Sequence, residues 1–190
     1  MKTATLSATL LLAGNMAFAE VENYVIDTEG AHASIEFQTK HLGYSWLTGR
    51  FNEFTGNFSY DTENPANSSI SVDINVDSID SNHAERDKHL RSDEYLQTKK
   101  FPDAKFVSTK ITPNEDGSLT IAGDFTLHGV TKTISFNATQ VGTGPDPWGG
   151  YRRGFTGSTS IRFSDYGYTF LLGPATTAAE ITLNIEGIRQ

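Results

Sequence analysis

The segment from Ser81 to Leu96 contains the side chains of this sequence that are best suited to chemistry. It reads SNHAERDKHLRSDEYL and places two histidines, His83 and His89, among acidic and basic residues. Histidine and carboxylate groups together can bind a metal ion or act as an acid–base pair. Another interpretation is that the segment is a charged helix that packs over other elements.

The spacing of these candidate ligands argues against a metal site. His83 and His89 are six positions apart, whereas residues on one helix face are three or four apart. No His-Glu-x-x-His sequence is present, and the absence of cysteine excludes thiolate ligands. The chain also lacks a Gly-x-Ser-x-Gly nucleophile motif, a P-loop and a dinucleotide fingerprint. We therefore expect no metal ion, no cofactor and no nucleophile triad.

The same segment has the features of a short helix, around residues 82–97. Asn82 followed by Glu85 fits a helix N-terminus, and Glu85 with His89 forms an acid–base pair at i and i+4. Its apolar residues are too sparse for a buried helix. We expect it to lie over a sheet or over one end of a barrel.

Alternation of apolar and polar residues dominates the rest of the chain, for example over residues 70–77. Turn residues, such as those at 114–117 and 128–129, separate about eight such runs. The parity of the apolar positions changes near Asn52, which indicates a bulge. The pattern predicts an all-β fold of mostly antiparallel strands, closed into a barrel or packed as a two-sheet sandwich.

The N-terminal residues 1–19 predict a secretory signal, with Lys2, an apolar stretch and a small-x-small site that ends at Ala19. We expect export to the periplasm and a single domain over residues 20–190. No later window is apolar enough for a membrane helix, so stable membrane insertion is not expected. Acidic residues outnumber basic ones by 23 to 15, which argues against a nucleic-acid partner.

Nearly the whole expected mature chain resembles the YceI family of secreted, polyisoprenoid-binding proteins. The resemblance is carried by HASIEFQTKHLGYSWLTGRF (32–51), SIDSNHAERDKHLRS (78–92), GDFTLHGVTKTISF (123–136), DPWGGYRRGF (146–155) and LLGPA (171–175). It implies an extended, eight-stranded, antiparallel lipocalin-like barrel. It also implies a lumen that takes a long isoprenoid chain, and no established enzyme activity.

Several phenylalanines lie on the apolar parity of their strands and are the candidate lumen residues. They are Phe37, Phe54, Phe58, Phe125, Phe136 and Phe163. Glycines 56, 123 and 157 share that parity. A glycine beside a large residue leaves an open channel or marks a bend in a barrel strand, and the resemblance favours the channel.

Arg86, His89 and Arg91 are candidate contacts for a lipid head group if the helix covers the barrel mouth. Arginine suits a diphosphate, whereas histidine can donate to a quinone carbonyl. The alternative is that these charged residues only lock the helix onto neighbouring strands.

The favoured function is noncatalytic binding, carriage or storage of a long-chain isoprenoid lipid, either a polyprenyl diphosphate or an isoprenoid quinone. One alternative is an enzyme that modifies such a lipid, and another is a structural or stress-protective barrel. The lipid is the expected partner. The oligomeric state is left open, with a homodimer as one option.

Overall fold

The computed structural model describes residues 21–169 and 175–190. The predicted signal segment therefore lies outside the described residues. Within them, the chain forms eleven strand segments and one α-helix, α1 (Ala84–Arg91). The strands are β1 (Glu22–Ile26), β2 (Ser34–His41), β3 (Ser45–Phe51), β4 (Phe54–Tyr60), β5 (Ser69–Asn75), β6 (Ile79–Asp80), β7 (Asp103–Pro113), β8 (Leu119–Leu127), β9 (Val130–Pro145), β10 (Tyr151–Arg162) and β11 (Ala178–Arg189).

These segments close into an eight-stranded antiparallel barrel, which confirms the predicted fold class. The strands pair in the order β1-β4-β5-β7-β8-β9-β10-β11, and β1 pairs back onto β11. β2 pairs with the first half of β11, and β3 and β6 follow it, so these three segments extend the barrel at one end. β3 and β4 are separated at Asn52 and Glu53, where the parity change predicted an irregularity. We call the end formed by β2, β3 and β6 the helix end. The end where β1 begins and β11 ends is the far end.

Apolar side chains that alternate along the strands fill the barrel interior. On β1, Tyr24 and Ile26 are almost fully buried, whereas Val25 between them points outward and is 48% exposed. Ile35 on β2 and Phe58 on β4 are buried in the same cluster. Each such side chain stabilises the fold by about 1.5–3 kcal/mol through burial. In a chain without cysteine, this interior must stabilise the barrel without disulfides.

The glycines aligned with the lumen make room for neighbouring side chains. A Cβ on Gly123 would lie 2.5 Å from the ring of Phe106, and one on Gly56 would lie 2.6 Å from Ile26 Cδ1. A Cβ on Gly157 would lie 3.0 Å from a backbone oxygen of β9. The expectation of an open channel is therefore wrong at Gly56 and Gly123, because a methyl group and a ring already occupy the space. Gly157 does line a small cavity inside the barrel.

Arg153 closes the far end of the barrel from inside. Its side chain is almost fully buried and donates hydrogen bonds to the Tyr24 hydroxyl (3.2 Å), Gln140 Oε1 (2.6 Å) and Glu22 Oε2 (2.9 Å). The guanidinium also lies 4.1 Å from the ring centroid of Tyr60. Burial alone would raise the pKa of Glu22, but hydrogen bonds from Tyr24 and Arg153 hold this pKa below its ordinary value.

Helix α1 begins one residue later than the sequence pattern predicts. Its N-cap is His83, whose Nδ1 accepts a hydrogen bond from the Arg86 backbone N–H at 3.2 Å. Asn82 instead adopts a left-handed conformation with φ 60°, which asparagine tolerates better than most residues. The helix ends at Arg91 and is followed by turns, so it is shorter than the predicted segment.

Two charged side chains fasten α1 to the chain just before it. The buried Asp87 carboxylate accepts hydrogen bonds from the Ser81 backbone N–H (2.9 Å) and from the Ser81 hydroxyl. Arg91 donates to the backbone oxygens of Asp77 (2.7 Å) and Ile79 (2.5 Å). These contacts hold the helix at the helix end. Neither this helix nor any other among the described residues has the length and apolar character to cross a membrane.

Candidate functional site

A cavity of about 440 Å³ lies at the helix end, between the barrel wall and α1. This volume falls within the range of about 300–1,000 Å³ that is typical of small-molecule sites. Its interior is almost entirely apolar. The apolar wall includes Phe37, Leu47, Phe51, Ile74, Leu90, Leu96, Phe125, Leu127, Ile161, Phe163 and Ile181. Such a wall suits a hydrocarbon chain.

The charged side chains that line this cavity are all basic or histidine. Lys40 and His41 come from the end of β2, and Arg86 and His89 come from α1. No aspartate or glutamate is among the described lining residues, although the chain has a net charge of −8. The local charge is therefore opposite to that of the whole chain. It would stabilise an anionic or hydrogen-bond-accepting group.

Arg86 and His89 differ in how their donors are occupied. Arg86 Nε donates to the Ser81 hydroxyl at 2.7 Å, a second guanidinium nitrogen donates to the Ser81 carbonyl, and no carboxylate pairs with Arg86 in the described part of the chain. His89 Nε2 lies 3.0 Å from Glu94 Oε2, and its ring packs edge-on against Tyr95. Arg86 thus keeps its positive charge uncompensated by a contacting carboxylate at the cavity wall, whereas His89 already has an acidic partner.

The structure places Arg91, the third predicted head-group contact, outside the described lining of this cavity. Its donors are directed at the backbone oxygens that hold α1. Arg91 therefore fits the alternative interpretation, in which the charged residue locks the helix. The position of Arg86 is compatible with both interpretations, because Arg86 contacts Ser81 and also lines the cavity.

The six predicted lumen phenylalanines divide into three groups according to the cavity that they line. Phe37, Phe125 and Phe163 line the cavity at the helix end. Phe58 and Phe136 line a smaller cavity of about 60 Å³, which shares no lining residue with the first. Phe54 is buried in the core cluster between β1, β4 and β5 and lines neither cavity. The structure therefore brings only half of them together with Arg86 and His89.

Sequence reasoning missed Lys40 and His41 at the cavity wall. A signal was available for His41, because it lies on the same strand parity as Ile35 and Phe37. Tyr168 and Thr176 also line the cavity and were not predicted. Burial raises the pKa of the Tyr168 hydroxyl, so this group stays protonated at neutral pH.

One group among the described residues has the donor atoms for a metal site, and it lies outside the predicted helix segment. It consists of Asp27, His32 and Glu186, whose donor atoms lie within 4.8 Å of one another. An Arg152 nitrogen lies 2.5 Å from Asp27 Oδ2 and 2.6 Å from Glu186 Oε1. The guanidinium therefore occupies the position between these carboxylates and supplies the positive charge itself.

Comparisons with known proteins place the whole barrel in one family. The YceI-like domain model matches residues 24–187. A UPF0312 protein of Shewanella denitrificans is 54% identical over 185 residues, which cover 97% of this chain and 95% of the relative. The crystal structure of Burkholderia cenocepacia BcnA has the same fold, with a TM-score of 0.74, 19% identity and coverage of 85% of this chain and 98% of that one.

A structure of a polyisoprenoid binding domain from Saccharophagus degradans also shares the fold. Its TM-score is 0.63 at 15% identity, and the match covers 88% of this chain and 98% of that domain. The family match, the high identity to the Shewanella protein and the shared barrel agree with one another. The chain therefore belongs to the YceI-like family.

Proposed function

We propose that this protein binds an isoprenoid lipid at the helix end of its barrel and carries or stores it in the periplasm without chemical change. The observation that carries this proposal is the cavity itself, which has an apolar interior and is also lined by Lys40, His41, Arg86 and His89, with no carboxylate among the described lining residues. An amphipathic lipid matches both features, because its hydrocarbon chain can lie against the apolar wall and its polar head group near the basic side chains.

The comparisons support the ligand class in coarse terms. The Saccharophagus degradans neighbour is described as a polyisoprenoid binding domain, and it has the same fold as this chain. They also favour a binding protein over an enzyme. The basic edge further favours an anionic head group, such as a diphosphate, over a neutral quinone, because a charge-assisted contact is stronger than a neutral one.

Solvent extraction of the purified protein, followed by mass spectrometry, tests the ligand class. We expect an unmodified isoprenoid lipid in near-stoichiometric amount. Incubation of the protein with that lipid should return it unchanged. Chemical turnover of the lipid would instead support an enzyme, and a chain without any bound isoprenoid would contradict the proposal.

The head-group preference is tested by replacing Arg86, with Arg91 as the matched control. Arg86→Gln should weaken binding of a prenyl diphosphate roughly tenfold, since one charge-assisted contact is lost, and should change binding of a quinone with the same chain much less. Arg86→Lys should restore part of the difference because it keeps the charge.

The control variant Arg91→Gln removes an equal charge from α1 but not from the cavity wall. It should lower the melting temperature and weaken both ligands to a similar degree, because it releases the helix from Asp77 and Ile79. Competition binding of the two ligands to each variant provides the measurement. Equal losses for Arg86→Gln with both ligands would contradict a diphosphate contact at Arg86.

The periplasmic location is part of the same proposal and is supported by the signal-like residues 1–19. The exported protein should begin at Glu20. Intact mass spectrometry of the periplasmic fraction measures this directly, and an exported form that retains residues 1–19 would contradict cleavage after Ala19.

A further inference from the structure

The turn between β2 and β3, together with the first residues of β3, exposes three large apolar side chains within five positions. We call residues 42–46 the hairpin tip. Tyr44 is 88% exposed, and Leu42 and Trp46 are each 51% exposed. Leu42 has a left-handed backbone with φ 53°, which is unfavourable for a non-glycine residue. A solvated turn could have used asparagine or glycine there, so the apolar surface needs another explanation.

The charge around the hairpin tip differs from that of the rest of the chain. Residues 37–52 contain Lys40 and Arg50 and no acidic residue, although the chain has 23 acidic residues. The Lys40 ammonium lies 5.5 Å from the ring centroid of Trp46. Trp and Tyr with a neighbouring Lys are typical of protein surfaces at the level of lipid headgroups. The positive charge of the lysine complements anionic phospholipid.

The hairpin tip also adjoins the entrance of the lipid cavity. Leu42 belongs to the hairpin tip and lines the cavity. Lys40 and His41, which precede the tip, line the cavity as well. Arg153 fills the far end of the barrel, so exchange of a ligand takes place at the helix end. A lipid that leaves a bilayer for this cavity must cross the water gap between them, and contact between tip and bilayer would remove that gap.

We propose that the hairpin tip docks on the surface of a bilayer that contains anionic phospholipid, with Tyr44 and Trp46 at the headgroup level and the cavity entrance facing the membrane. The proposal deepens the proposed function and rests on it, because it gives the lipid cavity a route to its ligand. The docking is peripheral and reversible, since only a few side chains enter the interface.

Tryptophan fluorescence tests the docking directly. The chain has two tryptophans, so Trp148→Phe leaves Trp46 as the reporter. With vesicles of equal parts phosphatidylglycerol and phosphatidylethanolamine, we expect a blue shift of Trp46 emission and quenching by brominated lipid. Both effects should weaken with added salt and with phosphatidylcholine vesicles. No change in emission together with no co-sedimentation would overturn the proposal.

Variants at the tip and at the opposite end of the barrel provide the matched comparison. Tyr44→Ser combined with Trp46→Ser should reduce co-sedimentation with the same vesicles roughly tenfold, because two interfacial side chains are lost. Trp148→Ser removes an even more exposed tryptophan from the β9–β10 turn and should change co-sedimentation less than about twofold. Equal losses for both variants would overturn the assignment to the hairpin tip.

Lipid extraction from the same variants separates this proposal from the proposed function. Tyr44 and Trp46 do not line the cavity in the described structure, so the double variant should load more slowly from vesicles but should reach the isoprenoid content of the original chain. Vesicle binding by a protein that contains no isoprenoid would contradict the lipid-carrier function but not the docking on a bilayer. A bound isoprenoid without a change in Trp46 fluorescence on addition of vesicles would contradict the docking but not the lipid-carrier function. A dimer that the double variant converts to a monomer, without vesicle binding, would show that a second copy covers the tip.

Discussion

Asp27 lies at the centre of an ion-pair network on the outside of the far end. It is almost fully buried, pairs with Arg152 at 2.5 Å and with His32 at 2.9 Å, and shares Arg152 with Asp146 and Glu186. The hydrogen bond from Arg152 is the main cause that lowers the pKa of Asp27 to about 2. The charged form of Asp27 is therefore favoured in the folded state.

Replacement of Asp27 by Asn should lower the free energy of unfolding by about 2 kcal/mol at pH 7. The folded pKa of about 2 lies below the unfolded value, so the carboxylate stabilises the fold above about pH 5. This contribution should disappear as the pH falls through the folded pKa. Urea denaturation of both proteins from pH 7 down to the lowest pH at which they fold measures the difference.

Asp73→Asn is the control for this titration, because Asp73 makes one exposed ion pair, to Lys105. We expect it to change stability by less than about 1 kcal/mol at any pH. A difference between the original chain and Asp27→Asn that stays constant with pH would show that packing, and not charge, makes Asp27 stabilising.

Within the hairpin of β2 and β3, a glycine determines where the cavity wall lies. Gly49 pairs with Phe37 across the hairpin, and a Cβ on Gly49 would lie 2.3 Å from the Phe37 ring. The ring can therefore lie across the neighbouring strand and line the cavity. The missing side chain on β3 thus sets the ring position on β2.

Gly49→Ala should destabilise the protein by about 1–3 kcal/mol, because either the Phe37 ring or the strand must move. Gly142→Ala is the matched control, because nothing lies within 4 Å of a Cβ at Gly142 in another strand, β9. We expect a change within about 0.5 kcal/mol for the control. Chemical denaturation measures both, and similar values for the two variants would contradict the packing role of Gly49.

Strand parity explains which parts of these elements could be predicted. The alternation over residues 70–77 is a local property, so it predicted β5, although the strand ends at Asn75. The parity change near Asn52 predicted a bulge at the position where the structure has a break between β3 and β4. Parity tells which face of a strand a residue occupies, but not how far along the barrel it lies. Phe54 and Phe125 therefore appeared equivalent, although only Phe125 lines the cavity at the helix end.

The role of α1 could be predicted only in part for a related reason. Its charged residues and short length are visible in the sequence. The partners of Arg91, however, are the backbone oxygens of Asp77 and Ile79, which any residue type would offer. Side-chain patterns contain no signal for such contacts. The residue that holds the helix, Arg91, could therefore be distinguished from the head-group candidates Arg86 and His89 only in the folded structure.

At the scale of the whole molecule, the barrel is closed at one end by a buried cation. Arg153→Met should lower the free energy of unfolding by about 3 kcal/mol, because it removes the buried guanidinium that donates hydrogen bonds to the half-buried Glu22 carboxylate and to Gln140. Arg189→Met is the control, since Arg189 also pairs with Glu22 but is exposed, and it should cost less than about 1 kcal/mol. Urea denaturation of the two variants compares them, and equal costs would show that Arg153 has no special place in closing the barrel.

A barrel with one closed end has consequences for the order of events during carriage. Under the proposed function, the chain of a lipid would enter tail first and leave head first, and both steps would use the same opening at the helix end. A second lipid cannot push the first one through. Unloading must therefore precede reloading, so the exchange rate should follow the dissociation rate of the bound lipid and become independent of the concentration of the incoming one. Such a carrier would bind one lipid at a time and release it through the opening by which it entered.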